Sequence, residues 1–151
     1  WSRVGGAGPG GVSVPKRRDG EPLEHVLTID LSEAPELAQR FPGARALSLY
    51  VPDRRSGDQY GDSKLLPILE SATAPPDGEP LFVLPIDVPS AIFGRSAART
   101  NPVLAEVRKT IFNCAGWALG RPMWIQRREG DDDIVMQLSE GLGLNLGDCG
   151  S

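Results

Sequence analysis

The sequence predicts an α+β fold rich in β structure: a single domain over 1–151, built from two related strand-loop-strand halves with one long helix between them. Three observations predict it. Eighteen glycines and fourteen prolines, over a fifth of the 151 residues, favour short strands and turns. Two segments, EHVLTIDLS with its β-branched residues and ARALSLYV, alternate with a period of two. The clearest helical pattern is a single stretch, PVLAEVRKTIFNCAGWALG. A domain of this size hides roughly 70% of its unfolded surface, enough for one core.

The elements follow in order. The opening WSRVGGAGPGGVSVPKRRDGEP is too broken for a helix and, with Trp1, Val4, Val12 and Val14, too apolar for a disordered tail, so it reads as an ordered loop with short extended pieces. In EHVLTIDLS, Val26, Thr28 and Asp30 take one face and Leu27, Ile29 and Leu31 the other, which is the predicted core face. Ser32 is the expected N-cap of a short helix, EAPELAQRF, ended by Pro42-Gly43. ARALSLYV returns as a strand, and PDRRSGDQYGDS is a polar loop. SKLLPILESA reads as a helical turn or an irregular apolar segment, because Pro67 interrupts a longer helix. LFVLPIDVP is a strand whose Pro85 suggests an edge or a bulge. Asn101 caps the long helix, Pro102 starts it, and Gly116 is its natural C-cap. After it come a turn and extended segment ALGRPMWIQ, a polar loop RREGDDD, the strand IVMQLS and a Gly-rich end.

The two ends of the chain read alike. RVGGAGPGGVSVPKRRDGEPLEHVLTIDLS and WALGRPMWIQRREGDDDIVMQLS each run through glycine, proline, a charged loop and an apolar strand closing on Leu-Ser. Such a duplication makes two β units that must bury an apolar face against each other or against the helix. The first unit continues into ARALSLYV, whereas nothing follows NLGDCGS, so the pattern predicts that a last strand is missing. Trp1 in place of Met likewise points to a missing N-terminus.

A family resemblance rests on residues at both ends. Gly120, Pro122 and Gln126, then Gln137-Leu138 and Gly147-Asp148-x-Gly150, resemble the second half of the YwqG-like domains of unknown function. Gly5, Gly6, Pro22, Leu23, His25, Ile29, Asp30 and Leu31 are similar to the first half. The chain departs from that pattern in lacking a Trp-Pro before the first strand, in Ala7-Gly8-Pro9 after the glycine pair, and from about Asp53 to Asn101, which matches nothing in it. The resemblance implies a single YwqG-like domain of β-rich α+β fold with two related halves, and no established reaction.

Charge and composition exclude several classes. Sixteen basic against twenty acidic side chains give a net charge of −4, with no global positive field to attract nucleic acid. The short basic runs at 16–18, 54–55 and 127–128 are each followed by acids and read as solvated loops. No run approaches the ~18 apolar residues of a membrane span, and no signal peptide is evident. Two cysteines and one histidine cannot make a four-ligand zinc site without carboxylates. Neither a metal nor a cofactor is expected. The cysteines fit a reduced compartment, and a cytoplasmic, bacterial protein is the expectation.

No residue is assigned a catalytic role. His25 is the sole candidate histidine base; a Cys-His-Asp set with Asp30 and Cys149 is arithmetically available, but no spacing supports it, and structural hydrogen bonds at a strand end are the ordinary outcome. Cys114 reads as a small buried hydrophobe. GGAGPGG lacks the Gly-x-Gly-x-x-Gly spacing and the Lys-Ser/Thr of phosphate loops. Gln126, Gln137 and Asp148 read as supports tying turns to strands. Glu129, Asp131, Asp132 and Asp133 read as a solvated loop or as an acidic patch that binds a partner; their spacing does not match a calcium loop.

Two functions follow as expectations. The first is a protein-binding module, such as an immunity protein that covers a basic toxin, its acids steering the encounter. The alternative is an enzyme or small-ligand binder with a site between the two β halves, using His25, Asp30, Gln126, Gln137 or Asp148. An accessory segment of a larger protein is a third reading.

Overall fold

The computed structural model of the chain describes residues 1–53, 63–81, 116–119 and 135–138. The chain divides into two compact units, Trp1–Pro85 and Ile86–Ser151. The regular structure among the described residues is mostly strand, with little helix.

The first unit is a five-stranded antiparallel sheet made of β1 (Arg3–Val4), β2 (Glu24–Asp30), β3 (Ala46–Val51), β4 (Lys64–Ile68) and β5 (Glu79–Pro80). Its order is β4-β3-β2-β1-β5. The alternating segments form β2 and β3, as their period of two predicted, and pair from Glu24 opposite Val51 to Asp30 opposite Ala46. The register shifts between His25 and Leu27, so Val26 is an extra, bulged residue.

The leucine face of β2 is buried, as expected, but so is the other. Leu27, Ile29, Leu47 and Val51 are buried on one side of the sheet; His25, Thr28, Asp30, Ala46, Ser48 and Tyr50 are buried on the other. The second face is covered by the chain's own opening segment. Gly8 lies against the Tyr50 hydroxyl, Gly10 bridges to Thr73, and Trp1 and Val12 pack on the cluster of Ala46, Ile68 and Ala72. Each large apolar side chain sealed in this way contributes about 1.5–3 kcal/mol.

The glycine-rich opening is an ordered loop with short extended pieces, as its composition predicts: β1, and an isolated bridge between Lys16 and Pro22. Its glycines allow close approach. A Cβ on Gly6, whose φ is +66°, would lie 2.5 Å from an Asp77 carboxylate oxygen, and one on Gly78, at φ +98°, would lie 2.7 Å from the Gly5 carbonyl oxygen. The Asp77 side chain accepts from the Ala7 N–H at 2.7 Å, which pins the two loops together.

Several expectations are corrected. The segment after β2 is a 3-10 turn, Leu31–Glu33, followed by a four-residue helix α1 (Pro35–Ala38), shorter than the predicted 33–41. Asp30, not Ser32, is the capping residue: its Oδ1 accepts from the Ser32 N–H at 2.9 Å, while α1 has Ala34 at its N-cap and no side-chain cap. Lys64–Ile68 is a strand despite Pro67, neither a helical turn nor irregular. Strand β4 lies at the sheet edge, and a missing N–H is tolerated there.

In the second unit, β6 (Gly116–Ala118) pairs antiparallel with β7 (Met136–Leu138), Trp117 lying opposite Gln137. Strand β7 falls inside the predicted IVMQLS. Gly116 is therefore a strand residue, not the cap of a helix, and Leu119 just after the strand takes a positive φ of 61°. Residues 101–115 of the predicted long helix, 82–89 of the predicted third strand, and the loops at 54–62 and 127–133 lie outside the described residues.

Candidate functional site

Residues 25 and 28 of a regular strand would face opposite ways. The bulge at Val26 adds one residue between them, so His25, opposite Tyr50, and Thr28, opposite Ser48, share one face. The result is a buried polar chain. His25 Nδ1 lies 3.2 Å from the Gly5 carbonyl oxygen, His25 Nε2 lies 2.9 Å from Thr28 Oγ1, and Thr28 Oγ1 lies 2.7 Å from Ser48 Oγ.

The chemistry of the partners sets the direction. A carbonyl only accepts, so Nδ1 carries the proton and donates to Gly5. In the neutral ring Nε2 then accepts from the Thr28 hydroxyl, and Ser48 donates to Thr28. The Gly5 N–H donates to the Val26 carbonyl at 2.7 Å, so the bulge and the glycine hold each other. Tyr50 meets the imidazole edge-on, with centroids 5.3 Å apart and planes at 63°. Burial desolvates a phenolate, which raises the Tyr50 pKa above its ordinary 10.0. Thr28 and Ser48 have no exposed surface, and the chain of bonds ties β1, β2 and β3 together within the sheet.

A second group lies at the end of the sheet where β2 ends, β3 begins and β4 ends. The Leu31 N–H donates to the Arg45 carbonyl at 2.9 Å and the Arg45 N–H donates to the Ile68 carbonyl at 2.8 Å, which sets the three segments side by side. They border an open cleft of about 550 Å³ whose polar lining is Asp30, Ser32, Arg45 and Glu70. Asp30 Oδ1 accepts from both the Ser32 N–H, at 2.9 Å, and the Ser32 hydroxyl, at 2.7 Å. The Asp30 N–H donates to Ser2 Oγ, which donates to Glu33 Oε2, each at 2.9 Å. The Arg45 guanidinium stacks over the Trp1 ring, 4.4 Å from its centroid.

Of the residues singled out in sequence, Gly5 and His25 are joined directly, and Gly6 makes the close approach to Asp77 and Gly78. The Asp30 carboxylate accepts from the Ser32 N–H and hydroxyl rather than from His25. Gln137 sits in β7. Gly120, Pro122, Gln126, Glu129, Asp131, Asp132, Asp133, Gly147, Asp148 and Gly150 lie outside the described residues, as do Cys114 and Cys149. Sequence reasoning missed Thr28 and Ser48 as partners of His25. Their signal was two hydroxyls set inside otherwise apolar strands, where each needs a bond.

Among the described residues no three His, Cys, Asp or Glu side chains gather as metal ligands, and no helix is long and apolar enough to cross a membrane. In comparisons with protein-family models, characterised proteins and solved structures, nothing matches the chain.

Proposed function

We propose that the chain acts by binding a partner protein, and that the partner is basic, as a toxin held by an immunity protein would be. One observation carries the choice of binding over turnover: both ring nitrogens of the sole histidine are engaged, one by Gly5 and one by Thr28, in a chain that ends on fully buried Ser48. A histidine so held serves the sheet. The net charge of −4, with acids concentrated at Glu129, Asp131, Asp132 and Asp133, supports a basic partner drawn in by long-range attraction.

Membership of the YwqG-like family is part of this proposal. It is supported by Gly5, Gly6, His25 and Asp30, among the residues that carried the resemblance, since Gly5 and His25 bond to each other and Gly6 and Asp30 each shape a turn.

The test is affinity capture of the native protein from its source lysate at low and high salt, with partners identified by mass. The expected result is one basic partner, lost at high salt and lost again when Asp131, Asp132 and Asp133 are replaced by Asn. Capture of nothing at either salt contradicts the reading.

A further inference from the structure

We propose that the cleft at the sheet end, bordered by Asp30, Ser32, Arg45 and Glu70, binds a small zwitterion of the free α-amino-acid class with an aliphatic side chain. This does not rest on the partner-binding function, and either can fail without the other.

Charge is left unpaired around this cleft. Among the described residues Arg45 has no ion-pair partner, although two carboxylates line the same cleft. It is held instead against Trp1, 4.4 Å from the ring centroid. A guanidinium lying over an aromatic ring has N–H donors left beyond that contact, and these fit a carboxylate in a two-point fork. Glu70, exposed in the turn after β4, also has no ion-pair partner among the described residues. Asp30, only 8% exposed, accepts both Ser32 bonds on Oδ1, which leaves Oδ2 for a ligand.

One unpaired cation and two carboxylates around one cleft match a molecule that carries both signs. A simple amine would meet Arg45, and a dicarboxylate would meet Asp30 and Glu70. An α-amino acid places its carboxylate on Arg45 and its ammonium, with three donors, on the acids. Leu31, Ala38 and Ala44 supply apolar lining for a short aliphatic side chain. The cleft volume of about 550 Å³ suits a small ligand, since such sites run from about 300 to 1,000 Å³. The backbone bonds from Leu31 to Arg45 and from Arg45 to Ile68 fix the three segments before any ligand arrives.

Calorimetric titration of the complete chain tests this, with L-alanine, L-valine and L-leucine against N-acetyl-L-leucine and L-leucinamide. The expected result is saturable binding of at least one free amino acid, weakened about tenfold or more in the two blocked analogues. Arg45→Gln and Glu70→Gln, both at exposed positions, each lower affinity by about the same factor. Thermal unfolding of each variant is recorded alongside, and if Arg45→Gln perturbs the fold, Glu70→Gln decides. No saturable heat with any of the three, equal binding of the blocked analogues, or wild-type affinity in a folded Glu70→Gln overturns the proposal.

Discussion

Gly5 and His25, twenty residues apart in the chain, are locked together at the Val26 bulge: the imidazole Nδ1 donates to the Gly5 carbonyl at 3.2 Å, and the Gly5 N–H donates to the Val26 carbonyl at 2.7 Å. The glycine-rich opening is thereby tied to the second strand of the sheet. His25→Ala strands the Gly5 carbonyl and the Thr28 hydroxyl and leaves a cavity beside Tyr50. A loss of about 2–4 kcal/mol in urea unfolding is expected.

Thr28 and Ser48 form the inner end of the same chain, 2.7 Å apart and without exposed surface. Thr28→Val takes the Thr28 partner from the buried Ser48 hydroxyl, Ser48→Ala takes from Thr28 one of its two partners, and each costs about 1–3 kcal/mol. The double variant removes both groups, so it costs less than the two together. A double-mutant cycle by denaturant unfolding reads a coupling of about 0.5 kcal/mol or more. Strict additivity would show that the hydroxyls do not interact.

Gly8 packs so closely on Tyr50 that a Cβ would overlap the phenol hydroxyl and lie 3.1 Å from Cζ. Gly8→Ala should cost about 1–3 kcal/mol by overpacking. Replacing Tyr50 by Phe in that background removes the nearest atom and should recover part of the loss. Gly78→Ala, which combines φ +98° with an approach to the Gly5 carbonyl, has no such rescue. Melting temperatures of the three proteins check this.

Tyr50 makes stability fall at alkaline pH. Its pKa is raised in the folded state by burial, so above the unfolded value near 10.0 the folded chain holds more protons than the unfolded one. The stabilising contribution is fully present below the unfolded value of 10.0 and is lost as pH rises through the higher folded value. Unfolding free energy measured from about pH 8 to about pH 11 should decline at the top of that range, and Tyr50→Phe should flatten the decline.

Much of the first sheet was legible because burial follows alternation. Strands β2 and β3 lie where Leu27-x-Ile29 and Leu47-x-Leu49 place them, and β7 lies inside the apolar run before Ser139. Strand β4 was not legible, because Pro67 argues against regular structure unless the strand is known to lie at an edge, and edge position is a tertiary fact. The cap was misplaced for a similar reason: Asp30 and Ser32 are both good capping residues, and the 3-10 turn that follows Asp30 selects the earlier one. The polar chain was hidden by the bulge. Simple alternation puts His25 and Thr28 on opposite faces, and only the one-residue shift at Val26 unites them. The cleft depends on three segments far apart in sequence, so no local pattern announces Arg45 or Glu70.

The sole histidine is held by Gly5 and Thr28 within the first sheet. The most direct test is a nitrogen-15 correlation spectrum of the imidazole in the intact protein, which reports which ring nitrogen carries the proton. A proton on Nδ1 is expected, protected from exchange by Gly5. A neutral ring protonated at Nε2, or an imidazole exchanging freely with water, would contradict this and return His25 to the candidates for chemistry.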